Sequence, residues 1–171
     1  MLMGWPTELD VAKAIEEAFG GVAYPGDDYI TYDQSGYHLE CMEIAEAFRG
    51  KHWRDLTTDF LLPQSQSLYF FTPEAHAFFI SGYILCGTRD YDPEGFALLA
   101  ALVFSLTPRR GAEEPFQALI APLTSPQRQA IAIFLKYLEA SHGGDYPDRA
   151  PSVALDLYWG RYLPPKADQK L

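Results

Sequence analysis

Cysteine is scarce in this chain. Among 171 residues only Cys41 and Cys86 carry thiols, too few for a disulfide framework. Long apolar runs are lacking too. The longest, Phe96 to Leu106, is 11 residues, against the roughly 20 needed to cross a bilayer, and it reads as a buried helix. The opening Met1-Leu2-Met3-Gly4-Trp5-Pro6 has no basic stretch, and the acidic Glu8 and Asp10 follow, so no export signal is expected. Positive charge is sparse: 13 Lys and Arg stand against 23 Asp and Glu, for a net charge of −10. Phosphates reward the opposite sign, so neither nucleic acid nor an anionic membrane is expected as a partner. Together these absences predict a soluble cytoplasmic protein with reduced thiols.

Catalytic signatures are missing as well. There is no Gly-x-Ser-x-Gly elbow, no His-Glu-x-x-His pair and no acidic calcium loop. Gly20-Gly21 and Gly143-Gly144 each follow a helical pattern, where they serve as C-terminal stops rather than a phosphate cradle. His38-x-x-Cys41 has the ligand spacing of a helix, and His76 and Cys86 could complete four ligands, although no second Cys/His pair exists. Cys41, however, falls in the middle of an apolar helix face, where a free thiol behaves as a small hydrophobe. No metal, cofactor or catalytic residue is assigned.

What is present is the material of a core. The chain is 48% hydrophobic and 21% charged, with 11 Tyr, 11 Phe and 3 Trp, the reverse of the balance that keeps chains disordered. Its length suits one domain that buries enough surface to hold together unaided. Residues 1–171 therefore read as one compact all-α bundle of six or seven helices, with an ordered core over 7–163 and a polar tail over 164–171.

Helix starts are marked by cap residues before prolines at Thr72-Pro73-Glu74, Asp92-Pro93-Glu94 and Ser125-Pro126-Gln127. The pattern predicts helices over 8–19 (capped by Thr7), 37–48, 73–86, 93–106, 126–141 and 151–162, with a shorter one near 115–121. Those at 73–86 and 93–106 are apolar nearly all round and should form the enclosed central pair. Tyr29-Ile30-Thr31-Tyr32 could form a short strand. On the helix at 126–141, Ala130, Ile133 and Tyr137 make a second apolar strip that should pack within the domain.

Two segments draw attention as a site. Pro25-Gly26-Asp27-Asp28-Tyr29 carries paired carboxylates; Phe48-Arg49-Gly50-Lys51-His52-Trp53-Arg54 packs three cations, an imidazole and an indole into a turn after a helix. If they meet, Asp27, Asp28, Arg49, Lys51 and His52 would line a charged cleft with aromatic walls. The structural alternative has Arg49 and Lys51 complementing a helix C-terminus, Trp53 anchoring the core and Asp27 pairing locally.

These segments also carry a resemblance. Tyr24-Pro25-Gly26-Asp27-Asp28, Phe48-Arg49-Gly50-Lys51-His52-Trp53, Phe71-Thr72-Pro73-Glu74-Ala75, Leu123-Thr124-Ser125-Pro126-Gln127 and Ala154-Leu155 with Tyr158-Trp159 occur in order across about residues 20–160. Together they resemble a family of small bacterial proteins classed only as a domain of unknown function. The chain departs from that pattern at Phe79-Ile80-Ser81-Gly82, where Leu-Pro-Ala would follow the aromatics. The resemblance implies a bacterial cytoplasmic protein and carries no catalytic residues.

Charge distribution supplies the functional expectation. Residues 1–48 hold ten carboxylates and the single cation Lys13, whereas the remainder is nearly neutral. Complementary charge speeds encounter and rejects wrong partners, so a non-catalytic interaction domain that covers a basic protein is expected, like an immunity protein, antidote or adaptor. Tyr24, Asp27, Asp28, Tyr29, Tyr32 and Asp33 form its first candidate surface, because tyrosine gives contact area at low entropic cost. The rival is a small-molecule enzyme or sensor using the charged cleft. A self-associating structural protein is the third possibility.

Overall fold

The computed structural model describes residues 4–165; the end of the polar tail, 166–171, lies outside them. Eight α-helices are present among the described residues: α1 Glu8–Phe19, α2 Leu39–Phe48, α3 Thr58–Leu61, α4 Pro73–Arg89, α5 Phe96–Leu106, α6 Glu113–Ile120, α7 Ser125–His142 and α8 Ala150–Leu157. Short turns of 3-10 helix link them. The fold is the expected all-α bundle.

Local hydrogen bonding explains the clearest starts. Before α1 the Thr7 hydroxyl accepts the Asp10 N–H at 3.2 Å while the Asp10 carboxylate accepts the Thr7 N–H at 2.8 Å, a reciprocal box that satisfies two otherwise orphaned donors. Before α4 the Thr72 hydroxyl accepts the Ala75 N–H, and Pro73 sits where no N–H is needed. The cap of α7 is Thr124, one residue ahead of the expected Ser125. Gln127 closes a box with Thr124, and its amide also donates to the Ala18 carbonyl at the end of α1.

Asp92-Pro93 does not start a helix. Its peptide is cis, Asp92 makes no cap bond, and residues Tyr91–Gly95 form a π-type turn before α5 opens at Phe96. Distant contacts determine that turn. The Tyr91 ring stacks on His142 at 3.5 Å, and its hydroxyl donates to Asp145 at 2.9 Å. The last predicted helix breaks at Tyr158, and Trp159–Tyr162 continue as a 3-10 turn.

Helix α4 occupies the centre. Thirteen of its 17 residues are buried, and it packs against α1, α5 and the turn at Trp53. Gly82 and Gly87 permit that closeness: a Cβ at Gly82 would stand 2.6 Å from Leu56 Cδ1, and one at Gly87 would collide with the Leu99 side chain. Helix α7 lies against α1 and α8. Its second apolar strip packs inside the domain, with Ala130 and Tyr137 buried and Ile133 half-buried.

No strand exists among the described residues. The segment 29–32 instead lies along 70–72: Thr31 pairs with Phe71 in one antiparallel bridge. Tyr32 N–H donates to the Phe70 carbonyl and Thr72 N–H to the Ile30 carbonyl. The ladder stops at one end where Asp27–Tyr29 curl into a 3-10 turn opposite Pro73, the start of α4, and at the other where Ser67–Tyr69 form a 3-10 turn. The bridge fastens the acidic loop to the start of the central helix.

Candidate acidic cleft

Two loops and one helix face build the candidate site. Tyr24 is the pin between the predicted segments. Its ring packs edge-on against Phe78 at 5.6 Å. Its hydroxyl donates to Asp27 Oδ1 at 2.7 Å and accepts the Gly50 N–H at 2.9 Å. Burial, and then the bond to Asp27, raise the Tyr24 phenol above its ordinary pKa, so it stays protonated and keeps donating. Gly50 lies in the left-handed backbone region at φ +69°, where a residue lacking a Cβ fits most easily. The Asp27 loop and the Arg49 turn therefore do meet.

Beside this pin opens a cleft of about 730 Å³, walled by the 27–36 loop and the outer face of α2. Asp27, Asp28, Asp33, Glu43 and Glu46 contribute carboxylates to its lining, and Arg49 is the one cation. Arg49 stands 3.7 Å from Glu46 across an exposed pair, too solvated to hold either side chain firmly. The Ser35 hydroxyl and N–H both donate to Asp33, holding its carboxyl below the usual range. On the inner wall the Thr31 hydroxyl donates to the Cys41 carbonyl at 3.3 Å and joins the loop to α2.

Exposed aromatic and apolar side chains lie within two residues of lining positions along the same loop and the start of α2, without lining the cleft themselves. Tyr29 is 65% exposed, Tyr32 58%, Tyr37 95% and Leu39 71%. Tyr32 stacks on Phe70 at 6.2 Å with the planes 11° apart and meets His38 edge-on.

The second predicted segment divides. Arg49 lines the cleft and Gly50 bonds to the Tyr24 pin, whereas Lys51, His52 and Trp53 do not line it. Lys51 Nζ lies 4.8 Å from the Phe60 ring centre. His52 Nδ1 accepts the Arg54 N–H at 3.1 Å, and its ring packs on Trp53 and Phe78. Trp53 is buried, 1% exposed, and Arg54 closes over it while pairing with Glu16 at 2.9 Å. The five-residue cleft expected from sequence is therefore a cleft of Asp27, Asp28 and Arg49, enlarged by acids from α2. The share of Glu43 and Glu46 in the cleft depends on where the 27–36 loop folds, which spacing along the sequence does not show.

Chemically, this arrangement can hold cations. No group of three or more His, Cys, Asp or Glu side chains among the described residues is placed to hold a metal ion. Cys41 and Cys86 are free and buried. The one buried Ser–His contact, His76 Nε2 to Ser105 Oγ at 3.3 Å, lacks an orienting third group, because His76 Nδ1 has no partner. Burial pushes the His76 pKa down to about 3.

A family model matches residues 7–163, from the cap of α1 to the end of the last turn. The chain belongs to the Family of unknown function (DUF6714). No curated protein and no solved structure matches it. The DUF6714 match takes in the Tyr24 pin, the α2 face and all eight helices, so the cleft lies within the family domain. No helix among the described residues of this DUF6714 chain is long and apolar enough to cross a membrane.

Proposed function

We propose that this domain is a non-catalytic interaction module that engages a basic protein through the acidic cleft, as an immunity protein, antidote or adaptor does. One observation carries the reading: five carboxylates and a single arginine line an open cleft, and the exposed Tyr29, Tyr32, Tyr37 and Leu39 lie within two residues of its lining along the chain. Clustered negative potential steers a cationic surface toward contact and discriminates against acidic competitors. Exposed tyrosines then supply apolar area with few torsions to freeze. The same reading assigns the domain to a bacterial cytoplasm, where thiols such as Cys41 and Cys86 stay reduced.

A small-molecule enzyme or sensor built on Asp27, Asp28, Arg49, Lys51 and His52 has less support. Lys51 and His52 lie outside the cleft lining, and His52 is occupied capping the turn at Trp53.

Asp28 and Glu43 make no side-chain hydrogen bond or ion pair among the described residues, so their charge can be reversed without touching the Tyr24 pin. In pull-down from the native host, the wild-type chain should retain a basic protein that Asp28→Lys/Glu43→Lys loses, with both chains melting at the same temperature. Equal retention of that protein by the double variant would remove the cleft from the interaction.

A further inference from the structure

A second concave region shares no lining residue with the acidic cleft. A groove of about 520 Å³ runs along α5, with Phe96, Ala100 and Phe104 on one wall and Pro147 and Val153 on the other. A smaller cavity of about 230 Å³ lies on the other side of Tyr69, Thr107 and Arg109, which line both.

Three features distinguish the groove from a packing defect. Its lining is mostly aliphatic and aromatic with few polar groups, and its volume falls in the range of small-molecule sites, about 300–1,000 Å³. Its far wall, Pro147 to Arg149, is held by two consecutive non-glycine residues with left-handed backbone, Asp148 at φ +53° and Arg149 at φ +52°. Such conformations persist only where the surroundings enforce them, and they gather around ligand sites. Finally, the Arg109 guanidinium lies 3.8 Å above the Phe104 ring, and Tyr69 meets that ring edge-on at 6.0 Å. No carboxylate pairs with Arg109 among the described residues. Stacking fixes its plane and leaves its edge N–H groups free to meet a carboxylate as a fork.

We infer that this groove binds a small amphipathic monocarboxylate, its apolar body lying along Phe96, Ala100 and Phe104 and its carboxylate paired with Arg109. An apolar trough alone would accept any hydrocarbon, and the fixed, unpaired cation at its end selects an anion. Asp148 on the opposite wall disfavours a second negative charge, so the class is a monoanion. The site is independent of the acidic cleft.

Octanoate, hexanoate and 1-octanol, titrated into the full chain and followed by NMR, test the assignment. Octanoate should bind saturably at one site per chain, shifting signals of Phe96, Phe104 and Val153. Hexanoate, two methylenes shorter, should bind about tenfold more weakly. Arg109→Gln should weaken octanoate about tenfold and leave 1-octanol nearly unchanged, which separates the charge contact from the trough. Ala100→Trp should abolish binding of both. Val153→Phe repeats the block from the facing helix should the first variant fold poorly. Non-saturating shifts, equal octanoate affinity in Arg109→Gln, or binding that survives both blocking variants would each overturn the inference.

Discussion

The acidic cleft and the α5 groove are concave surfaces of one small domain built by opposite means. The cleft stands on loops fastened at a few polar points: the Tyr24 hydroxyl, the Thr31–Phe71 bridge and the Thr31–Cys41 bond. The groove stands on helices, with α5 and α8 set by packing against α4 and α7. A polar anchor nearby is itself buried, the Trp159 indole donating to the Leu106 carbonyl at 2.7 Å. Exposed polar fastenings such as those of the Tyr24 hydroxyl contribute modestly and fail singly, whereas packed helices fail together. The cleft is therefore the adjustable part of the molecule and the groove the rigid part.

The largest expected effect tests the rigid side. Gly87 of α4 faces the Leu99 side chain of α5 with no room for a Cβ. Gly87→Val should cost about 3 kcal/mol by forcing the helices apart, read as a lower urea midpoint. Both surfaces should be lost in one transition, and an unchanged midpoint would show that the α4–α5 contact is looser than its geometry.

Acid supplies a graded attack on the same side. His76 is buried and neutral, with a pKa near 3 in the fold against about 6.5 in an unfolded chain. Because the folded value is depressed, the unfolded state binds the proton more readily. This contribution to stability is intact above about pH 6.5 and falls by about 1.4 kcal/mol per unit as pH drops from there toward 3. Urea melts of wild type and His76→Leu at pH 7, 6 and 5 should diverge in slope, the variant losing less stability on acidification. Parallel slopes would mean that His76 is already accessible to protons in the folded state.

The smallest effect belongs to the adjustable side. Tyr24→Phe removes the hydroxyl shared by Asp27 and Gly50 while keeping the ring against Phe78. It should cost about 1 kcal/mol and free the 27–36 loop, seen as faster amide exchange at Gly50. Octanoate binding at the groove should be unaffected. Loss of groove binding in this variant would show that the two surfaces are not built independently.

These contrasts also account for what the sequence disclosed. Thr7, Thr72 and the starts of α1 and α4 were legible because a cap and its partner lie within three residues, whereas α4 runs on to Arg89, three residues past its expected end. The motif Asp92-Pro93-Glu94 looks the same on paper and fails, since Tyr91 is drawn toward His142 and Asp145, some 50 residues along the chain. The carboxylates of the cleft were visible as an imbalance of charge, and the meeting of the Asp27 and Arg49 segments was posed as a question. That Trp53 anchors the core was open to the sequence as the structural alternative, and its indole is buried; that His52 then packs on Phe78, and Lys51 over Phe60, outside the cleft was not visible, because contacts distant in sequence decide it. The groove left no local mark at all. Its walls come from residues 66–69, 96–109 and 146–153, and Arg109 reads in sequence as one ordinary surface cation.

Tyr69 and Phe70 are consecutive, yet they serve different surfaces: Tyr69 lines the groove, and Phe70 stacks beneath Tyr32 beside the acids of α2. One peptide unit thus works as a partition wall, with a tenant's furniture on each side. A molecule seated against Tyr69 and a protein resting on Tyr32 would be close neighbours that share no lining residue, so the domain has room for both tenants at once.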